Sequence, residues 1–291
     1  MKITAIKLKV PLVTPLKTAL REVNYIEDLM VLIETDKRWN LAVMKKIIIT
    51  LITTAALSGC ANSASTTVIP QQSQQLVVVV ADDWQAIAAQ LYRFDRVAGQ
   101  WQQQGQGHKV VLGRTGLAWG IGLHSAQAGV QKQEGDGKAP AGIFELGTAF
   151  GYLDSLNTNL TYQGMTADDY CVDVKGSPFY NQLVNKSVVG EAAVKDSSEW
   201  MRRDIYSQDN LYKKGLVVKH NSQNVDGAGS CIFMHLWRAE NKPTAGCTAM
   251  TEQNMDTLLA WLDEQKKPLL VSLPSSQYQQ KQLLWKLPAI K

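Results

Sequence analysis

Apolar and polar positions change rhythm several times along this chain, and each change marks an element. Near the start, Ile6, Leu8 and Val10, and then Leu29, Val31 and Ile33, alternate with their neighbours as a pair of strands would. From Met44 the rhythm is lost: two lysines lead into an apolar run that closes on Leu57-Ser58-Gly59-Cys60. Past a polar stretch, "LVVVV" predicts a short apolar strand, and Asp82 or Asp83 caps a helix with Trp84, Ile87, Ala88 and Leu91 on one face. Tyr92 and Phe94 then alternate in a hairpin that turns at Ala98-Gly99. "HKVVLGRTGLAWGIGLH" continues as a strand with glycine-rich turns, and Gly135-Asp136-Gly137 is a further turn signal. The glycine spacing fits neither a P-loop nor a dinucleotide fingerprint.

Between Asp168 and Lys214 no clean period survives, and mixed helix and loop is expected. "GLVVKHN" and "SCIFMHLWRA" are strands. In the second, Cys231, Phe233, His235 and Trp237 share one face, while Ile232, Met234 and Leu236 share the other. Met255, Leu258, Leu259 and Leu262 recur at helical spacing behind a Thr251 cap, and "PLLVSLP" supplies a last strand. Short strands with a few helices, in no regular alternation, predict a β-rich α+β domain over residues 76–275. Glutamines crowd 71–75, 100–106 and 277–282, which reads as polar linker, turn and tail. Residues 61–75 are accordingly a tether and 276–291 a C-terminal tail.

At 291 residues with 45% hydrophobic content, the chain is long enough to bury a sizeable core. Its formal charge of +4 is spread thinly, with no basic run interleaved with aromatics, so no nucleic-acid partner is expected. The apolar run after Met44 is short of the roughly 20 residues that span a bilayer. Residues 44–60 therefore read as a signal peptide, and their close is similar to the lipobox of bacterial lipoproteins. That resemblance implies cleavage before Cys60 and lipidation of its thiol. Ala61 in place of an aspartate favours the outer membrane in a Gram-negative host, placing the protein in the periplasm on a lipid anchor. Residues 1–43 then precede a signal sequence. "MKITAIKLKVPLVTPLKTALREVNYIEDLMVLIETD" resembles the opening of the capping domain of enolase-superfamily dipeptide epimerases, and it stops before any catalytic lysine or metal-binding carboxylate could appear. The segment reads as a foreign or mis-assigned fragment that brings no epimerase activity.

Four cysteines remain to be allocated. With Cys60 lipidated, Cys171, Cys231 and Cys247 face an oxidising compartment, and an odd count leaves one thiol free. Cys247, in "KPTAGCTAM", follows a glycine that lets backbone approach a substrate, and it is the best candidate for the free one. Cys171 and Cys231 are then left to pair. A nucleophilic thiol needs a base. His235 precedes Cys247 on a strand, and the intervening loop can return to bring imidazole and thiol together, lowering the thiol pKa. Cys231, His235 and Cys247 could instead ligate zinc, although no fourth ligand is apparent. No metal or cofactor is expected.

"GSCIFMHLWRAENKPTAGCTAM" and "KQEGDGKAPAGIFELGTAFGY" together resemble the YkuD-type L,D-transpeptidase catalytic domain. The resemblance implies an L,D-transpeptidase-like mixed β-sandwich, peptidoglycan stem peptides as partners, and a thioester formed when Cys247 attacks the third residue of a stem tetrapeptide. An amine of a second stem then completes a cross-link, or water completes a carboxypeptidase or hydrolase reaction. Gly246 and Thr244 fall where the oxyanion is held or the turn is oriented. The usual Ser-His-Gly-Cys pattern, with arginine or asparagine after one further residue, is replaced here by Thr244, Ala245 and Ala249 around the cysteine. Arg238, Arg202 or Arg203 would have to supply the missing cation. A non-catalytic wall-binding lipoprotein is the reading from another class.

Overall fold

The computed structural model describes residues 69–291. The strand pair expected within 1–43, the signal peptide 44–60 with Cys60, and most of the tether lie outside the described residues. The domain begins with β1, Gln75–Ala81, whose side chains are buried almost throughout. A run of four valines cannot alternate between core and water, and it occupies a strand covered on both faces. The chain then makes a turn rather than a helix. Asp83 accepts a hydrogen bond from the Gln85 N–H at 2.8 Å, closing an Asx turn with the same side chain that would otherwise cap a helix. The expected helix is replaced by β2, Ala88–Val97, which pairs with β1 on one edge. Ala89 and Leu91 are buried there as alternating strand residues, so the ladder overrides a spacing that also suited a helix. The hairpin into β3, Gln100–Gln103, turns at Ala98 and Gly99 as expected, with both φ values positive (48° and 80°).

β4 (His108–Val111) and β5 (Leu117–Trp119) lead to β6, Ala139–Gly151, the longest strand. β7, Tyr162–Gly164, lies along its end. Where mixed helix and loop was expected, three short strands form a small sheet of their own. These are β8 (Asp169–Cys171), β9 (Leu183–Asn185) and β10 (Glu199–Trp200), in the order β10-β8-β9. Single-turn helices α1, Lys186–Val189, and α2, Arg203–Tyr206, flank it. The chain returns to the main sheet with β11 (Lys214–Val218), β12 (Phe233–Leu236) and β13 (Thr248–Met250). Helix α3, Glu252–Trp261, follows, with Thr251 accepting from the Asn254 N–H as its cap. β14, Leu269–Pro274, and α4, Ser275–Trp285, complete the domain.

The fold is β-rich with a few helices, as the strand pattern predicted. Pairing runs β1-β14-β6-β11-β12-β13-β4-β2, and β2 pairs back to β1, so the ladder meets itself around the main core. The segment read as a tail is part of this body: α4 buries Tyr278 and Trp285, and Leu287 beyond it joins the same apolar cluster. Each such large side chain contributes about 1.5–3 kcal/mol relative to exposure. At the other end Gln75, the last residue of the expected tether, is fully buried. Its side-chain amide donates to the Trp261 carbonyl and its oxygen accepts from the Asp263 N–H, each at 2.8 Å.

Candidate functional site

The site grows from the parallel pair β12 and β13, in which Met234 lies opposite Thr248 and His235 opposite Ala249. The alternation of "CIFMHL" is realised: Ile232, Met234 and Leu236 enter the main core, while Cys231 and Phe233 join a second cluster that includes Cys247. Cys247 stands one residue before β13 and two before Ala249, so it shares the His235 face, displaced by one pleat. The Phe233 N–H donates to Cys247 Sγ at 3.3 Å, and the thiol is directed to the Cys231 carbonyl at 3.6 Å. Cys231 is held at φ 54°, a left-handed conformation uncommon for a residue with a side chain. Two bonds fix it there. Its N–H donates to Asn181 Oδ1 at 2.9 Å, and its sulfur is bonded to Cys171, with the Cα atoms 5.9 Å apart. Cys247 is the free cysteine among the described residues.

The turn into Cys247 explains "PTAGC". The Thr244 backbone is stitched to the end of β4 through Leu112 and Arg114, at 2.9 Å each. Its hydroxyl accepts from the Gly246 N–H at 3.1 Å and donates to the Cys247 carbonyl at 2.7 Å. Thr244 therefore orients the turn, and the Gly246 N–H, expected in the oxyanion role, is already engaged. A Cβ at Gly246 would lie 3.0 Å from the Lys138 carbonyl oxygen, so the glycine permits a close backbone approach.

His235 Nδ1 lies 2.7 Å from the Leu236 carbonyl. A carbonyl only accepts, so Nδ1 carries the proton and Nε2 is the basic nitrogen of the neutral ring. The Tyr212 ring stands edge-on to the imidazole, with centroids 5.2 Å apart. Burial lowers the His235 pKa to about 4, with the Leu236 carbonyl opposing and the Arg203 charge reinforcing the shift. Burial raises the Cys247 thiol to about 12, and the Glu199 carboxylate adds to the rise against the Phe233 N–H. The expectation that the pair would lower the thiol pKa is thus reversed: desolvation outweighs the attraction of an imidazole that is itself neutral. The resting site holds a thiol and an imidazole, not a thiolate and an imidazolium.

Both side chains line a cavity of about 110 Å³, shared with Glu199, Arg203, Tyr212 and Arg238. Arg203 makes a two-point pair with Asp209 at 2.8 and 2.9 Å, and Arg238 reaches the same carboxylate at 3.1 Å from the exposed rim. Arg202 lies elsewhere. It pairs with Asp204 at 2.8 and 2.7 Å and covers the Tyr152 ring, so its place in the expected site is taken by its neighbour. Sequence reasoning missed Glu199, Tyr212 and Asp209. Glu199 lies opposite Cys171 in the β8–β10 ladder, accepts from the Tyr212 hydroxyl at 2.5 Å, and is raised by burial to about 7. The cysteine pair was its one available signal, since a bridge to Cys231 draws whatever pairs with Cys171 toward the thiol.

The disulfide removes Cys231 from any zinc set with His235 and Cys247. A second groove, of about 290 Å³, runs beside the bridge and is lined by Cys231, Phe233 and Asn181. His220 is structural: Nδ1 accepts from the Ile121 N–H at 3.2 Å and Nε2 donates to the Ala228 carbonyl at 3.0 Å. His124 stacks on Trp285 at 5.4 Å.

Comparison with known proteins adds three findings. The YkuD family, described as the L,D-transpeptidase catalytic domain, matches residues 72–271. No curated protein matches the chain. Among solved structures, the helical cell shape determining protein Pgp2 from Campylobacter jejuni aligns at 14% identity and a TM-score of 0.32, over 72% of this chain and 53% of that one. Its K307A mutant aligns at 16% and 0.32, over 74% and 54%. The chain spans about half the length of those proteins.

Proposed function

Because this chain belongs to the YkuD family of L,D-transpeptidase catalytic domains, whose members modify peptidoglycan, we propose that it transfers acyl groups between peptidoglycan stem peptides through a thioester on Cys247. One observation carries the reading: a free thiol and a histidine with its proton fixed on Nδ1 share one cavity. Cys247 Sγ attacks the carbonyl of the third residue of a stem tetrapeptide while His235 Nε2 takes the thiol proton, then passes it to the amine of the departing D-alanine. Because both groups start neutral, ionisation is coupled to attack and follows substrate entry, which displaces water. The groove beside the disulfide and the cavity beside His235 offer the donor stem two flanks. With the Gly246 N–H engaged, the oxyanion role passes to the Cys247 N–H; one such donor is worth on the order of 3 kcal/mol. An amine of a second stem then attacks the thioester and forms the cross-link. Lipid on Cys60 would hold this chemistry on the outer membrane, facing the periplasm, in a Gram-negative host.

The test is mass spectrometry of the membrane-extracted protein incubated with purified tetrapeptide muropeptides. Cross-linked dimers that have lost one D-alanine, and a stem-peptide adduct on Cys247, are expected. Tripeptide products alone would make the enzyme a carboxypeptidase, and unchanged muropeptides would remove the enzymatic reading.

A further inference from the structure

A thioester must be discharged as well as formed, and the amine or water that attacks it must give up a proton in its turn. His235 ends the first step neutral, having given its proton to the leaving amine, and a second group able to take a proton, Glu199, lines the same cavity. We propose that Glu199 is a catalytic residue of the second step, taking the proton from the amine or water that attacks the Cys247 thioester. This rests on the acyl-transfer reading above and assigns a group to its other half.

The geometry has three parts. Glu199 lines the same cavity as Cys247 and His235. Its Oε2 is pinned by the Tyr212 hydroxyl at 2.5 Å, while Oε1 makes no hydrogen bond among the described residues. A carboxylate held by one oxygen and open at the other is oriented to accept a proton. The cavity, at about 110 Å³, accommodates a few waters, each about 30 Å³ in the liquid, or the head of an amine. The carboxylate is also tied to the nucleophile through the chain. Glu199 pairs with Cys171, Cys171 is bonded to Cys231, and the Cys231 carbonyl receives the thiol. A carboxyl raised by burial to about 7 matches a base that works near neutrality.

The step balances. The acceptor N–H or O–H proton passes to the Glu199 carboxylate as the new C–N or C–O bond forms; the C–S bond breaks, and the electron pair returns to sulfur. The proton on Glu199 then restores the thiol, and no other reactant is consumed.

Glu199→Gln keeps the shape and an oxygen for Tyr212 but cannot take a proton. In the full chain, presented with tetrapeptide muropeptide, it is expected to release one equivalent of D-alanine at close to the wild-type rate and then stall. Turnover falls roughly 100-fold to 10,000-fold, with the acyl adduct accumulating on Cys247. Hydroxylamine, largely neutral at pH 7, needs little help from a base and should discharge the adduct at similar rates in variant and wild type. Tyr212→Phe keeps the ring against His235 and the charge on Glu199. It should slow discharge about 10-fold through a misplaced carboxylate, and it repeats the test should the first variant fold poorly. A Glu199→Gln enzyme that loses the D-alanine burst without accumulating adduct, or whose adduct resists hydroxylamine, would overturn the assignment and leave only a structural role. If wild type itself forms no adduct, the reading of the preceding section falls and takes this one with it.

Discussion

The two walls of the cavity are built by different means. One wall is the parallel pair β12 and β13, whose far side is main core: Met234 and Met250 are fully buried there, and backbone ladders fix Cys247 and His235 relative to one another. The other wall is the small sheet with its flanking turn at α2. It is held by the Cys171–Cys231 bond, the pairing of Arg203 with Asp209, and a Tyr212 hydroxyl on a carboxylate. Apolar packing is non-directional and tolerates no charge, whereas the polar wall can carry charged groups because each finds a partner. The nucleophile and its base thus belong to the rigid wall, and the groups that tune them belong to the stapled one.

The sharpest break falls on the rigid wall. Cys247→Ser should abolish turnover and covalent capture of a carbapenem, because a hydroxyl is far harder to ionise than even this thiol. His235→Ala should keep the fold and slow acylation by roughly 100-fold to 10,000-fold. Intact mass after carbapenem treatment separates the two: no adduct in the first, a slowly forming one in the second. Capture persisting in Cys247→Ser would place the nucleophile elsewhere.

Next comes the staple. Replacing Cys171 and Cys231 together by serine opens a loop of sequence separation 60 and should cost up to about 4 kcal/mol in the chain-entropy model. β13, which follows Cys247, keeps its ladder to β12, so carbapenem capture should survive in whatever fraction stays folded. Urea unfolding checks the first expectation. A capture rate that falls as far as in His235→Ala would show that the two walls are less separable than their construction suggests.

The same division governs what could be read from sequence. The rigid wall was legible because a strand sends alternate residues of "CIFMHL" to opposite faces, each buried against its own cluster, and a slip of one residue would turn every side chain around. The Ala98-Gly99 turn and the Thr251 cap were legible because both are local. The helix expected at Trp84 to Leu91 failed because the Asp83 side chain closes a turn as readily as it caps a helix, and only the neighbouring strands decide. The closing helix was hidden by its glutamines, although Tyr278 and Trp285 are the residues it buries. Between Arg202 and Arg203 the choice lies in which carboxylate each meets, Asp204 or Asp209, and nothing in the order of residues shows it. Glu199 was illegible for a related reason. Its place beside the thiol is set by a two-residue strand and a bond between cysteines far apart in the chain, and neither leaves a period.

The smallest expected effect is on stability against pH, where the two walls have opposite signs. His235 has an ordinary pKa of 6.5 and sits at about 4 in the fold. The folded state resists its protonation, so its contribution is present above 6.5 and is lost as pH falls through about 4. Glu199 has an ordinary pKa of 4.5 and sits at about 7, against the Tyr212 hydroxyl and the Arg203 charge. The folded state favours its protonated form, so its contribution is present below 4.5 and is lost as pH rises through about 7. Between pH 4.5 and 6.5 the two slopes oppose and the net dependence flattens. Glu199→Gln, which stays neutral throughout, removes only the second slope. Relative to wild type it should gain on the order of 2 to 3 kcal/mol on going from pH 5 to pH 8, read as the shift in urea midpoint at the two values. His235→Gln removes the first slope and should gain instead on going from pH 7 to pH 4. An equal response of both variants in either direction would mean that the charges of the two walls are not set by their separate surroundings.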